Sequence, residues 1–260
     1  MQKWVLKSDR AVEDVIFAKA SEFKLMHPAH DFVLDLEDPV WEEEFEEEEK
    51  EEIAAACSKA LFEPLPAEVS TILDKLIGKS SYDDIIDIVD NLSSNTKEKP
   101  IESWLKSSLQ NVADLFVSSE TLPVFKSENH LLYSVWQHLT TLSKNTPITN
   151  DGNAGSLAAL CDANRKRSLS TVEAPKPMIN GKMADFYFKY LSHEMGCIEI
   201  GIQDKGLYGT KEMHELDMEC PLMLACMHRA LQDTYKSVEA NKLQTVGFVI
   251  SGMYYFVVYY

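Results

Sequence analysis

The stretch from Gly181 to Met227 constrains the fold of this chain more than any other. Two short strand-like runs, 183–188 and 196–202, each carry one acid, Asp185 in the first and Glu199 in the second. A turn-like segment lies between the runs, and a helix that starts with a proline follows them. This layout can bring the two carboxylates together, as a divalent-metal site requires.

The length and the cysteine content set the outer limits of the fold. A chain of 260 residues suits one large domain or two small ones and can bury a substantial core. No apolar run approaches the ~20 residues that cross a bilayer, and the first residues lack the apolar region of a secretory signal. Five cysteines without framework spacing indicate reduced thiols. We therefore expect an intracellular protein, cytoplasmic or nuclear, with no membrane partner.

The net charge of −17 is concentrated in one segment. Residues Asp31 to Glu52 contain 13 acids and one lysine, which gives that segment a charge of −12. Nonspecific nucleic-acid binding depends on lysine and arginine that displace counterions. The sequence supplies no broad basic face, which argues against a stand-alone nucleic-acid binder but not against a metal-dependent site.

The acidic segment has two interpretations. A block of like charges repels itself and is typical of a frayed helix or of disorder, so residues 1–52 are predicted to form a partly disordered, solubilising segment. The alternative is a docking segment for a basic partner, in which Phe32, Trp41 and Phe45 supply apolar contacts.

A helical region is predicted over 53–122, and its helical pattern continues into an α/β domain over 123–260. Proline and serine signals place helix starts near Pro66, Ser80 or Ser81, Pro100 and Ser127, and Gly78 is a stop signal for the first of these helices. Apolar residues at helical spacing predict the following buried stripes: Val69, Leu73 and Leu76; Ile85, Val89 and Leu92; Ile101, Leu105, Leu109, Val112 and Phe116; Leu131, Val135, Leu139 and Leu142.

The carboxyl-terminal part alternates between strand and helix signals. Residues 146–176 are predicted to be mostly loop, with a short helix near 154–164. The later predictions comprise strands 183–190 and 195–202, a helix 221–238, and strands 243–251 and 253–260. The last strand is rich in Tyr, Val and Phe and has no polar tail. Because such an edge strand promotes aggregation unless it is paired, we interpret the ending as that of a truncated chain.

Four motifs carry a resemblance to a known superfamily: residues 181–186, 196–201, 219–227 and 243–248. Across about 127–256, the chain resembles a group of uncharacterised fungal proteins, which are similar in turn to diverged members of the PD-(D/E)XK nuclease-like superfamily. The resemblance implies an α+β fold in which a helical amino-terminal region precedes a small mixed sheet flanked by helices, a restriction-endonuclease-like core.

The resemblance also implies a catalytic site. In that superfamily an Asp begins one strand, a Glu-x-Lys triplet lies on the next, and an acid from the preceding helix often completes the site. By position, Asp185 matches the first acid, Glu199 the second, and Glu128 the helix acid. Their oxygens would hold Mg²⁺ or Mn²⁺, and the ion would activate water for attack on a nucleic-acid phosphate.

The chain departs from the superfamily pattern at Gly201, which stands where the lysine is expected. Lys205 or Lys211 in the following loop, or Lys182 beside the first acid, would have to replace it. Three interpretations stay open: a metal-dependent nuclease with a relocated lysine, an inactive pseudo-nuclease, and a non-catalytic module that binds a basic partner through its acidic segment. The simplest alternative for each acid is a side chain that points to solvent from an alternating strand.

Overall fold

The structure is a computed structural model, and ten ranges of the chain are described: 3–25, 27–57, 64–115, 117, 124–144, 146–152, 155–165, 183–202, 215–239 and 242–260. None of the helices in these ranges combines the length and the apolar character that crossing a bilayer requires.

The amino-terminal unit contains helix α1 (Val12–Ala20), two 3₁₀ turns (Pro28–Asp31 and Pro39–Trp41) and helix α2 (Glu47–Cys57). They enclose an apolar cluster whose buried members are Leu6, Val12, Val15, Ile16, Ala20, Ala29, Trp41, Phe45 and Ile53. Of the three aromatic residues of the docking interpretation, Trp41 and Phe45 are only 1% and 2% exposed, whereas Phe32 is 48% exposed. Trp41 and Phe45 therefore stabilise a core instead of projecting towards a partner, and binding of a basic partner stays a prediction.

Three helices follow: α3 (Ala67–Leu76), α4 (Tyr82–Asp90) and α5 (Pro100–Asp114). The predicted helix boundaries lie close to the observed ones, and the structure shows their causes. The Ser81 hydroxyl accepts a hydrogen bond from the backbone N–H of Asp84 at the start of α4, and Gly78 has a φ of +76° just after α3. The stripe predicted for α5 is only partly buried: Leu105 is buried, whereas Ile101 and Val112 are exposed, and Phe116 lies outside the described residues.

The single helix predicted from Ser127 is divided into α6 (Glu128–Ser134) and α7 (Gln137–Thr140). Trp136 lies at the break, and its indole N–H donates a hydrogen bond to the carbonyl oxygen of Gly252 at 2.9 Å. This buried hydrogen bond joins the break to a turn 116 residues later in the chain. Because the helical stripe does not continue, Leu142 is 42% exposed, contrary to the prediction.

A five-stranded mixed sheet forms the carboxyl-terminal part, so the α+β class is confirmed. The strands lie in sequence order: β1 (Ile148–Gly152), β2 (Phe186–Tyr190), β3 (His193–Gly201), β4 (Val246–Ser251) and β5 (Tyr254–Tyr259). All neighbours are antiparallel except β3 and β4, which are parallel. Strand β1 was not predicted, because Ile-Thr-Asn-Asp-Gly is too polar to show an apolar alternation.

Helices cover both faces of the sheet. Helix α8 (Leu157–Arg165) precedes β2, and a π-helical turn (Glu215–Glu219) leads into helix α9 (Cys220–Thr234) before β4. We define the α6 face by buried residues that share one cluster: Leu131, Leu132, Val135, Trp136, Leu139, Phe186, Phe188, Ile198, Ile200 and Ile250. The α9 face is defined by the opposite cluster: Ala158, Ala184, Tyr187, Cys197, Cys220, Met223, Leu224, Met227 and Val249.

Helix α9 approaches the sheet closely above Gly247. A Cβ atom at this position would lie 2.3 Å from the Sγ atom of Cys220, so only glycine permits the observed packing. The helix ends at Thr234, four residues earlier than predicted, and Val238 is 38% exposed. The first residue of α9, Cys220, therefore lies above Gly247, near the start of β4.

Candidate functional site

The two acids singled out in the sequence lie at adjacent positions of neighbouring strands. Phe186 pairs with Ile198 in the antiparallel β2–β3 ladder, so Asp185 lies one residue beyond this pair, beside Glu199. The backbone N–H of Ile200 donates a hydrogen bond to Oδ2 of Asp185 at 2.9 Å. This bond fixes the Asp185 carboxylate against the strand that carries Glu199.

Glu199 belongs to the α9 face by the alternation of its strand. Cys197 and Val249 lie on this face, and Glu199 lies two residues after Cys197 and pairs with Val249 in the parallel ladder. Asp185 directly precedes β2, and Ala184 and Tyr187 both belong to the α9 face, so alternation does not fix the direction of Asp185. Glu199 is 5% exposed, whereas Asp185 is partly exposed. Glu199 is therefore not a solvent-facing strand residue.

Two side chains near Glu199, those of Tyr187 and Cys197, have pKa values raised above their usual range. Burial raises the pKa of the Tyr187 phenol, and the negative charges of Glu194 and Glu199 raise it further. The pKa of Cys197 is raised by its hydrogen bond with Cys220, by burial and by the charge of Glu199. Tyr187 and Cys197 are thus neutral neighbours of the carboxylate, and neither supplies a nucleophilic anion.

Tyr187 holds the backbone that leads into Asp185, a role that the sequence analysis missed. Its hydroxyl oxygen accepts a hydrogen bond from the N–H of Ala184 at 2.5 Å and donates to Sδ of Met223 at 3.5 Å. Because the phenol is fully buried, these contacts anchor the residue preceding Asp185 against α9. The sequence carried no local signal for this role, because it depends on the packing of α9 against the strand.

The position two residues after Glu199 is occupied by Gly201, which pairs with Ser251 of β4. Ser251 is 2% exposed, so a buried hydroxyl-bearing residue lies beside the place where the superfamily carries a lysine. The predicted substitutes Lys182, Lys205 and Lys211 lie outside the described residues. Their proposed catalytic role stays a prediction.

Glu128 is the first residue of α6, and Ser127 caps this helix by accepting a hydrogen bond from the N–H of His130. The helix packs through Leu131 and Leu132 on the α6 face, opposite the face that carries Glu199. In the described part of the chain, no three carboxylate, imidazole or thiol side chains are grouped so that they could hold a metal ion. The role of Glu128 as a third ligand therefore stays a prediction.

Two other buried glutamates show how this chain stabilises a carboxylate with its own donors. Glu49 accepts hydrogen bonds from Ser8, from Arg10 and from the backbone N–H of Glu46. Glu194 accepts hydrogen bonds from the Ser156 hydroxyl and from the first N–H groups of α8. Each of these two carboxylates is therefore held by three donors of the chain itself.

The Asp185–Glu199 pair fits a hard divalent cation by its chemistry. Both ligands are carboxylates, the oxygen donors that Mg²⁺ prefers, and Mg²⁺ usually takes one or two protein carboxylates and keeps several waters. The partial exposure of Asp185 leaves one side of the pair accessible.

Comparison of the chain with models of protein families, with curated proteins and with solved structures found no match.

Proposed function

We propose that residues 123–260 form a diverged, nuclease-like domain in which Asp185 and Glu199 hold Mg²⁺ or Mn²⁺. One observation carries the proposal: Asp185 directly precedes the Phe186–Ile198 pair, and its carboxylate accepts a hydrogen bond from the N–H of Ile200, the residue after Glu199. A cation between the two carboxylates would offset the repulsion of their like charges.

The order of the elements supports the same proposal. Helices α6 and α7 precede β2, Asp185 lies at the start of β2, Glu199 lies on β3, and α9 leads to the parallel strand β4. This order agrees with the one on which the resemblance to the PD-(D/E)XK superfamily rests. A restriction-endonuclease-like core is therefore part of the proposal.

The bound ion would activate water and neutralise the charge that develops on a phosphate. The residues of this chain would position the ion. The N–H of Ile200 holds one oxygen of Asp185, and Tyr187 anchors the preceding backbone, so the first ligand is oriented before an ion arrives. The burial of Glu199 excludes bulk water from its side of the acid pair and strengthens the attraction of the Glu199 carboxylate to a cation.

Gly201 limits the activity that this site can reach. A positioned proton-transfer or charge-stabilising group is commonly worth ~10²–10⁴ in rate, and glycine supplies none. We therefore propose that metal binding is retained while phosphodiester hydrolysis is weak, unless Lys182, Lys205 or Lys211 supplies the missing group.

Calorimetric titration of the full chain with Mn²⁺ and Mg²⁺ tests the proposal. We expect the wild type to bind one of these ions and Asp185→Asn and Glu199→Gln to lose that binding. Glu194→Gln is the matched control, since it neutralises a buried glutamate of the same strand whose partners are α8 donors. A wild type that takes no ion, or variants that bind as tightly, would contradict the metal site. A hydrolysis assay on DNA and RNA with both ions, with Glu199→Ala as the inactive control, then measures the activity.

A second candidate function is binding of a basic partner by the acidic segment. The observation in its favour is that most of the segment's acids are exposed: Asp35, Glu37, Glu42, Glu43, Glu46, Glu47, Glu48 and Glu51. Because Trp41 and Phe45 are buried, the contact would be electrostatic and salt-dependent. Titration with a labelled oligolysine peptide tests it: we expect Glu47→Gln/Glu48→Gln to weaken binding at low salt, and equal affinity would reject this function.

A further inference from the structure

The two outer strands of the described sheet, β1 and β5, differ in charge. Strand β1 contains Asp151, whose carboxylate forms an ion pair with Lys189 at 2.8 Å. Strand β5 is longer by one residue, and residues 243–260 contain no charged side chain. Charged residues on an edge strand commonly prevent it from pairing with a strand of another molecule. The β1 edge has this protection, and the β5 edge lacks it.

One row of backbone groups on β5 is directed away from β4. Thr245 and Tyr260 exchange two backbone hydrogen bonds, of 3.0 and 3.1 Å. In an antiparallel ladder only every second residue bonds to the neighbouring strand, so the register directs the N–H and C=O groups of Tyr255 and Val257 outwards. Strand β5 is the last strand of the sheet that the described residues form. Its outer edge can therefore accept a further strand.

The sequence of β5 identifies a second copy of the chain as the strand that fits. Residues 254–260 read Tyr-Tyr-Phe-Val-Val-Tyr-Tyr, which is nearly the same in both directions from Val257. Two such strands, antiparallel about a two-fold axis at Val257, match residues of similar size and polarity. Aromatic pairs and pairs of an aromatic with a β-branched residue are favourable cross-strand contacts. The matched positions, each pair formed between the two copies, are Tyr254 with Tyr260, Tyr255 with Tyr259, Phe256 with Val258, and Val257 with itself.

The distribution of charge favours contact at this edge, although each copy carries a net charge of −17. Exposed charges farther apart than about 8 Å are largely screened at physiological ionic strength, so the charges nearest the contact matter most. Residues 243–260 bring no charged side chain against their own copy. At the Tyr260 end, the nearby Arg229 and Asp31 lie 3.9 Å apart as an ion pair, and their charges offset each other.

We propose that the chain forms a two-fold-symmetric dimer in which β5 pairs with β5 of a second copy, centred on Val257. The two five-stranded sheets then form one continuous sheet, and the outward N–H and C=O groups of Tyr255 and Val257 bond between the copies. Each end of the joined sheet is a β1 edge protected by its charge, so assembly stops at two copies. A contact through one short strand is smaller than the ~1,200–2,000 Å² of stable interfaces, so the dimer dissociates on dilution.

Sedimentation velocity of the full chain over a range of concentrations tests the dimer. We expect the wild type to pass from monomer to dimer as its concentration rises. Val257→Lys places two ammonium groups opposite each other at the axis and should weaken association by about tenfold or more, although it lowers the net negative charge of each copy. Thr149→Lys is the matched control, because it adds the same charge at an exposed position of the β1 edge. It should associate as the wild type does.

Hydrogen–deuterium exchange of the wild type provides a second measurement, which needs no variant. The amides of Tyr255 and Val257 should exchange more slowly at high than at low protein concentration, because only the dimer bonds them. The proposal is overturned by a wild type that stays monomeric, by β5 amides whose exchange does not depend on concentration, or by a folded Val257→Lys that associates like the wild type. Equal loss of association in Thr149→Lys would also overturn it. So would a dimer that added salt dissociates, because an ionic contact through the acidic segment would behave in that way.

Discussion

The amino-terminal unit and the carboxyl-terminal sheet use acidic residues in opposite ways. The first unit carries the dense acidic segment, yet its one deeply buried acid, Glu49, is matched by Arg10, Ser8 and a backbone N–H. The sheet contributes far fewer acids, but Asp185 directly precedes β2 and is hydrogen-bonded to the strand that carries Glu199. The proposed metal site therefore lies where two strands pair and not where the acidic residues are densest.

Glu194 extends the comparison within the sheet itself. Like Glu49, it is held by three donors of the chain, here at the start of α8. A buried carboxylate that receives such a set of donors is a structural element. A pair of carboxylates on adjacent strands is a different arrangement. Mutations can distinguish such a pair from a single carboxylate held by donors of the chain.

The largest effect is expected from Gly196→Ala in the sheet. A Cβ atom at this position would lie 2.1 Å from the backbone carbonyl oxygen of Val246, and a backbone atom cannot rotate away. We expect the free energy of unfolding to fall by about 3 kcal/mol or more, at the upper end of overpacking costs. Urea denaturation followed by circular dichroism measures this loss.

Gly247→Ala provides the contrast for that prediction. Its Cβ would meet the Sγ atom of Cys220 instead of a backbone atom, so the double variant Gly247→Ala/Cys220→Ala should regain part of the lost stability. No comparable partner substitution exists for Gly196→Ala. Equal stability of Gly196→Ala and the wild type would show that β3 and β4 do not approach as closely as described.

A smaller effect is expected from Glu49→Gln in the amino-terminal unit. Burial alone would raise the pKa of Glu49, but hydrogen bonds from Ser8 and the N–H of Glu46, together with the charge of Arg10, lower it below its usual value of 4.5. A lowered pKa in the folded state means that the ionised carboxylate stabilises the fold above the unfolded pKa and that this contribution is lost as the pH falls through the folded pKa. We expect Glu49→Gln to cost about 1–3 kcal/mol at pH 7.

The pH dependence tests the sign of that prediction. The difference in unfolding free energy between wild type and Glu49→Gln should shrink as the pH is lowered below 4.5. Glu48→Gln removes the same charge from an exposed neighbour and should change stability little at either pH. A difference that grows on acidification would mean that the Glu49 network does not hold the ionised form.

The smallest effect is expected from Gly78→Ala, in the helical region between the two units. Gly78 has a φ of +76°, which disfavours a side chain, but nothing lies within 4 Å of the added Cβ. We expect a loss of about 1 kcal/mol from the left-handed conformation alone. A loss as large as that of Gly196→Ala would indicate packing at this turn that the structure does not contain.

Local signals predicted many of the elements but not the contacts that terminate them. Ser81, Ser127 and Gly78 marked helix boundaries correctly because caps and positive φ angles depend on neighbouring residues. The break at Trp136 could not be predicted, since its cause is a hydrogen bond to Gly252, far along the chain. Strand β1 was missed for a similar reason: its pairing with β2, rather than its own composition, makes it a strand.

The site was predictable only in outline. The layout of two short acid-bearing runs, close in sequence, indicated that Asp185 and Glu199 can meet. The contribution of Tyr187 depends on which face of the sheet α9 covers, and local spacing does not encode this. Burial of Trp41 and Phe45 was likewise hidden by the charged residues around them.

The parallel pairing of β3 with β4 has a consequence for how the molecule is assembled. Parallel neighbouring strands require a crossover connection. Helix α9 carries the chain back along the sheet before Val246 can pair with Gly196. A nascent chain that ends at Thr234 would contain both acids while the far side of β3 still presented unpaired backbone groups. Closing this long loop costs conformational entropy before the distant contacts stabilise the sheet. The sheet would therefore form in full when the last strands are synthesised, and not when the two acids are.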